Sequence, residues 1–189
     1  MERSRCSSIC CCKRSIPSCK NFKIYFRRVS KLKKLMFHII LYNPEIPPNT
    51  GNIMRLAANT GTQLHLIRPL GFNLSDNSLK RAGLDYKKDA VYFLHDNFDI
   101  CLNSIKFNQI YAFTKFATKK FTSVKFKRND CFLFGSETSG LPENILNKIK
   151  NINKLRIPMI KNSRSLNLSN SVSIAIYEGL RQNTFENLV

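Results

Sequence analysis

Three polar loops concentrate the residues whose types and spacing suit chemistry, and each follows an apolar run. The first reads Asn43-Pro-Glu-Ile-Pro-Pro-Asn-Thr-Gly-Asn-Ile-Met-Arg55. It is stiffened by proline and leads into a helix start, where exposed N–H groups favour an anion, and Arg55 lies about one and a half turns in. A capping loop with a solvated arginine is the alternative. The second reads Phe134-Gly-Ser-Glu-Thr-Ser-Gly-Leu-Pro142, with two glycines flanking one carboxylate. Glycine there permits close approach of a ligand or of another backbone, and a purely structural turn is the competing reading. The third runs from Leu155 through Arg-Ile-Pro-Met-Ile-Lys-Asn-Ser-Arg-Ser-Leu-Asn-Leu-Ser to Asn170. Ser165, Asn167, Ser169 and Asn170 are more hydroxyl and amide than one helix cap requires, and neutral donors and acceptors in that density suit a zwitterionic or nucleoside ligand.

Other chemistries are poorly supported. Gly140 is followed by Leu141, not by Lys-Ser/Thr, so the second loop is not a phosphate-cradling P-loop, and it is not a dinucleotide fingerprint. The chain has no G-x-S-x-G elbow and no H-E-x-x-H pair. His38, His65 and His95 stand outside any motif and read as structural. No metal is expected.

These loops need a frame to hold them. Residues 37–42 form a continuous apolar run, the pattern of a strand buried on both faces, and Pro44, Pro47 and Pro48 end it. Asn49 or Thr50 is expected to cap a helix that runs to Asn59, and Gly61 supplies a left-handed stop. The alternation continues with strands at 64–67, 91–94, 110–113, 131–134 and 155–157. Helices are expected at 75–82, 96–105, 142–149 and 169–181. Strands alternating with helices imply an α/β domain with a mostly parallel sheet. In the last helix Val172, Ile176 and Leu180 form one stripe while Ile174 and Tyr177 lie on another side. Two apolar sides require two partners, the sheet and either more core or a second copy of the chain.

The 189 residues carry 31 Lys/Arg against 12 Asp/Glu, a net charge of +19. Residues 1–35 hold 11 of the basic residues, one of the acids, and five of the seven cysteines. That head reads as a basic, disordered extension, or as sequence upstream of a natural start at Met36; the domain proper is 36–189. The basic excess suits a polyanionic partner, although the many Lys, Asn, Ile and Phe codons of an AT-rich gene would produce part of it. No stretch approaches the roughly 18 apolar residues needed to span a bilayer, and the distribution of cysteines fits a reducing, cytoplasmic setting. Lys115, Lys119, Lys120, Lys125, Lys127 and Arg128 interleave with Phe116, Phe121 and Phe126, a mixture that grips RNA or forms a solvated basic loop anchored by phenylalanines.

The three loops, taken in this order and spacing, resemble the three motifs of the SPOUT class of methyltransferases. The segments I-P-P-N-T-G-N-I-M-R-L-A-A-N-T-G, R-A-G-L-D-Y, F-G-S-E-T-S-G-L-P and R-I-P-M-I-K-N-S-R-S-L-N-L-S-N carry the likeness, which spans about residues 36–182. They look most like the branch that methylates the 2′-hydroxyl of the wobble nucleotide, cytidine or uridine, in leucine tRNAs. The resemblance implies a C-terminal deep trefoil knot, S-adenosyl-L-methionine as methyl donor, tRNA as partner and a homodimer through the C-terminal helix. It assigns cofactor contacts to Phe113, Gly135, Ile157 and Ser165, catalytic roles to Arg55, Glu137 and Asn167, and RNA contacts to Asn49, Arg55, Lys119 and Lys120. Ser136 and Ser139 stand where the family has proline and arginine. The family's arginine at the position of Arg55 is proposed as a base, yet a guanidinium is protonated at neutral pH. A grip on the neighbouring phosphate that also polarises the hydroxyl is the role expected here.

Overall fold

The computed structural model describes residues 36–74, 92–186 and 188–189. The expected helix at 75–82, the R-A-G-L-D-Y segment, Val91 and the basic head lie outside the described residues. Six strands make one sheet: β1 (Phe37–Tyr42), β2 (Gln63–Ile67), β3 (Tyr92–His95), β4 (Ile110–Phe113), β5 (Asp130–Phe134) and β6 (Lys154–Leu155). Their order is β3-β2-β1-β5-β4-β6, and every neighbouring pair is parallel.

Side chains on a strand alternate between faces, so each apolar run serves two cores. Phe37, Ile39, Leu41, Phe132 and Phe134 pack with Ile53, Met54 and Ala57 of α1 (Pro47–Thr60) and with Val172, Ile176 and Leu180 of α4 (Leu168–Gln182). On the other face Ile40, Ile67, Cys131 and Leu133 meet Phe98 and Cys101 of α2 (Phe98–Ser104) and Ile145 of α3 (Glu143–Leu146). Cys101 and Cys131 are buried core thiols, and burial pushes Cys101 up to about 12.

Local chemistry shifts several expected boundaries. Helix α1 starts at Pro47, with Ile46 as its N-cap and no side-chain cap, so neither Asn49 nor Thr50 caps it. The paired prolines have φ preset for a helix and no N–H to satisfy in the first turn, which moves the cap from Asn49 or Thr50 three or four residues upstream to Ile46. Gly61 closes the helix at φ +66° as expected. Asn97 caps α2, which begins at Phe98 and not at 96, by accepting from the Ile100 N–H at 2.8 Å. Segment 142–149 forms only the short α3, with Pro142 at its N-cap. Strand β6 ends at Leu155, followed by a single bridge between Lys120 and Arg156. Pro158 explains the early end, since it donates no N–H and restricts the residue before it. In α4 the stripe of Val172, Ile176 and Leu180 is fully buried, whereas Ile174 and Tyr177 are 39 % and 49 % exposed. Among the described residues no helix is long and apolar enough to cross a membrane.

The three histidines form a buried ladder on the α2 face: His38 Nδ1 lies 3.1 Å from His65 Nε2, and His65 Nδ1 lies 3.0 Å from His95 Nε2. Each contact needs one N–H and one lone pair, so no two neighbouring rings can both be protonated. Burial holds all three below their ordinary value, His65 furthest, where the neighbouring imidazoles add to the effect. As pH falls through 6.5 the unfolded chain takes up protons that the folded ladder refuses. Stability is therefore present above 6.5 and lost below it, by up to about 1.4 kcal/mol per pH unit for each imidazole. Asp130 acts in the opposite sense, because burial raises it from 3.8 to about 6 and the folded state protonates first. Between those two values it offsets one histidine. Urea unfolding from pH 7.5 to 5 should show a falling midpoint that is flattened in His65→Gln; a pH-independent midpoint would remove the neutral ladder.

Candidate active site

Because β1, β5, β4 and β6 are parallel, the loops leaving their carboxyl ends open on one edge of the sheet, the edge where open α/β sheets bind ligands. The three polar loops meet there around a cavity of about 320 Å³. Its lining includes Asn49, Phe113, Gly135, Glu137, Ile157, Ser165 and Asn167.

Glu137 ties the first loop to the second. One carboxylate oxygen accepts the Glu45 N–H at 2.8 Å, and the other accepts the Ile46 N–H at 3.2 Å and the Asn49 Nδ2 at 2.9 Å. The Asn49 Oδ1 in turn accepts from Asn167 Nδ2 at 2.9 Å, which adds the third loop. Asn167 completes the chain as the N-cap of α4, its Oδ1 accepting the Ser169 N–H at 2.9 Å. A second tie joins the same loops, with the Thr138 hydroxyl donating to the Glu45 carboxylate at 2.7 Å. A buried amide at Asn49 thus does no capping; it relays position between Glu137 and Asn167.

The glycine loop is tightly folded. Ser136 and Gly140 exchange both backbone hydrogen bonds, at 3.2 and 3.0 Å, and Gly140 adopts φ +71°. A Cβ on Gly135 would sit 2.0 Å from the Gly140 carbonyl carbon, so only glycine fits. The Ser136 and Ser139 hydroxyls lie 2.7 Å apart and bond to each other. Around this turn, the apolar surfaces of Phe113, Ile157 and Leu166 alternate with the hydroxyls and amides of Ser165, Ser171 and Asn167. That donor set fits a ligand with a flat nucleoside part and a charged amino-acid part.

The residues named by resemblance divide into two groups. Asn49, Phe113, Gly135, Glu137, Ile157, Ser165 and Asn167 come together at the cavity, and Arg55, Lys119 and Lys120 are not in its lining. Arg55 projects from the exposed side of α1, beyond the first turn. Lys119 donates from Nζ to the Ile152 carbonyl at 3.3 Å, and the Lys120 backbone bridges to Arg156. Lys115 and Phe116 do line the cavity, although sequence alone left them undistinguished within the basic, aromatic stretch. His65, His95 and Cys101 bring possible ligand atoms within 4.8 Å of one another on the α2 face. Both nitrogens of His65 in that group already face other histidines.

Known proteins resemble this chain in sequence and fold. The model of the SpoU rRNA Methylase family matches residues 36–177. A tRNA (cytidine(34)-2′-O)-methyltransferase of Methylovorus glucosotrophus is 49 % identical over 154 residues, covering 82 % of this chain and 100 % of the relative. The protein of the same name from Escherichia coli K12 is 46 % identical over 147 residues, covering 78 % and 94 %. A solved structure described as giving insight into 2-OH methylation of C/U34 on tRNA superposes with a TM-score of 0.74 at 45 % identity, covering 80 % of this chain and 98 % of that one. AviRb from Streptomyces viridochromogenes, solved with AdoMet, shares the fold at 19 % identity and TM-score 0.70, covering 78 % and 57 %. The ordered loops, the parallel sheet that gathers them and these likenesses agree: the chain belongs to the SpoU rRNA Methylase family.

Proposed function

We propose that this chain transfers a methyl group from S-adenosyl-L-methionine to the ribose 2′-hydroxyl of the wobble nucleotide, cytidine or uridine, in leucine tRNA anticodons. The observation that carries the reading is the hydrogen-bonded chain Glu137–Asn49–Asn167 beside Gly135. It occurs in a protein whose relatives of 45–50 % identity are named for that position of tRNA. Those names favour tRNA over the rRNA of the family description.

When bound, S-adenosyl-L-methionine supplies a methyl group already activated on a sulfonium, so the transfer asks for no metal. Phe113, Gly135, Ile157 and Ser165 would hold it, mostly through backbone groups, Phe113 by its main chain. Asn49, Glu137 and Asn167 keep the three loops in register, and Asn49 also faces the RNA. Arg55 grips the phosphate next to the target ribose and polarises the hydroxyl, while Lys119 and Lys120 hold more distant phosphates. Positioning and electrostatics then supply most of the rate. A homodimer through α4 is part of this proposal, supported by the exposed Ile174 and Tyr177. So are a deep trefoil knot formed by the C-terminal segment and a cytoplasmic setting.

Methylation of total tRNA followed by nucleoside mass spectrometry tests the reading. The expected product is 2′-O-methylcytidine or 2′-O-methyluridine from leucine tRNAs, and a base-methylated product would overturn it. Under single turnover, Arg55→Lys should keep the methyl-transfer rate within about tenfold of the parent, whereas Arg55→Ala should lose about a hundredfold or more. A titrating step present in the parent and absent from Arg55→Lys would instead assign proton removal to the arginine.

A further inference from the structure

We infer that Phe116 is the platform on which the base of the target nucleotide stacks at the mouth of the cavity, an inference that rests on the proposed RNA methylation. Three phenylalanines share the basic stretch, and the structure separates them. Phe121 and Phe126 are 7 % and 3 % exposed and belong to the core, whereas Phe116 is 79 % exposed.

The backbone that carries the exposed ring is held in place. The Thr114 N–H donates to the Leu155 carbonyl at 2.9 Å, which fixes the start of the turn to the sheet. The Ala117 N–H then donates to the Thr114 carbonyl and the Phe116 N–H to the Thr114 hydroxyl, both at 3.3 Å. Ala117 is buried, so the turn is anchored on both sides of the ring.

Single exposed apolar residues are ordinary, but an apolar rim built by three separate loops is not. Ile46 of the first loop and Leu166 of the third are 42 % and 40 % exposed, and both line the same cavity as Phe116. The cation is beside the ring: Lys115 Nζ lies 5.2 Å from the Phe116 centroid and also borders the cavity. An aromatic face flanked by apolar contacts and one lysine matches an unpaired nucleobase with its phosphate.

The chain contains no tryptophan, so Phe116→Trp introduces a single reporter at the platform. In protein saturated with S-adenosyl-L-methionine, an anticodon stem-loop of leucine tRNA should quench its fluorescence, while the cofactor alone should not. Phe116→Ala should raise KM for tRNA about tenfold or more, and leave the dissociation constant of the cofactor within about twofold. Phe116→Tyr should restore KM. Quenching by the cofactor alone would move the ring's partner to adenosylmethionine and overturn the inference. So would the absence of quenching by RNA together with an unchanged KM in Phe116→Ala. Methylation by the unsubstituted protein is measured in parallel: if it modifies no tRNA, the proposed function fails and the platform with it, whereas activity with a silent reporter and an unchanged KM in Phe116→Ala removes the platform alone.

Discussion

Gly135→Ala is expected to abolish cofactor binding and to lower the unfolding temperature by about 10 °C or more. The new Cβ would lie 2.0 Å from the Gly140 carbonyl carbon, 2.3 Å from its oxygen and 2.3 Å from the Leu141 nitrogen. All three are backbone atoms, in a turn closed by two hydrogen bonds between Ser136 and Gly140. No side chain can rotate away, so relief requires opening the turn that shapes the cavity. Overpacking of that severity costs about 3 kcal/mol or more, and in a chain of this size each kcal/mol is worth about 2–4 °C. Gly140→Ala provides the contrast. An added Cβ there meets nothing within 4 Å, but φ is +71°, so only the left-handed backbone is penalised, by about 1 kcal/mol. Thermal unfolding and titration calorimetry with S-adenosyl-L-methionine compare the two. Equal losses would show that the turn yields readily and that crowding at Gly135 is not what matters.

Glu137→Gln should reduce kcat/KM about a hundredfold or more while leaving the chain folded. The carboxylate accepts from Glu45, Ile46 and Asn49, using both oxygens. An amide must turn its NH₂ toward at least one of these donors: one orientation loses the Glu45 contact, the other loses both Ile46 and Asn49. A polar group left unpaired in this way costs about 1–3 kcal/mol, and the damage spreads because Asn49 also fixes Asn167. Displacing reacting groups by about 1 Å can cost about a hundredfold in rate. Asn49→Asp should be at least as harmful, since it sets a second carboxylate against the first. Single-turnover methylation and circular dichroism check both variants. Activity within threefold of the parent in Glu137→Gln would mean that the three loops keep their register without this clamp.

Much of the frame is legible in the chain because the relevant forces are local. Residues 37–42 and 110–113 read as strands and are strands, each a short apolar run, the first ended by Pro44. Gly61 reveals itself by the left-handed backbone its position demands. The errors also have local causes. Asn49 has the side chain of a good cap, and capping preferences do not register that its partner is 88 residues away. The placement of Arg55 outside the cavity lining is no such error but a tertiary outcome, because a helix turns Asn49 and Arg55 to different sides.

The amino-acid sequence by itself determined the alternation of strands and helices, the three loops and the family they resemble, because periodicity, proline, glycine and ordered motifs act over a few residues at a time. Only the tertiary structure decided that Glu137, Asn49 and Asn167 form one hydrogen-bonded chain, that the histidines stack into a neutral ladder, and that Phe116 alone of three similar phenylalanines faces the cavity. Each of those outcomes depends on the strand order β3-β2-β1-β5-β4-β6. Strand order is set by the burial of both sheet faces at once, a property of the whole packed chain that no short segment contains.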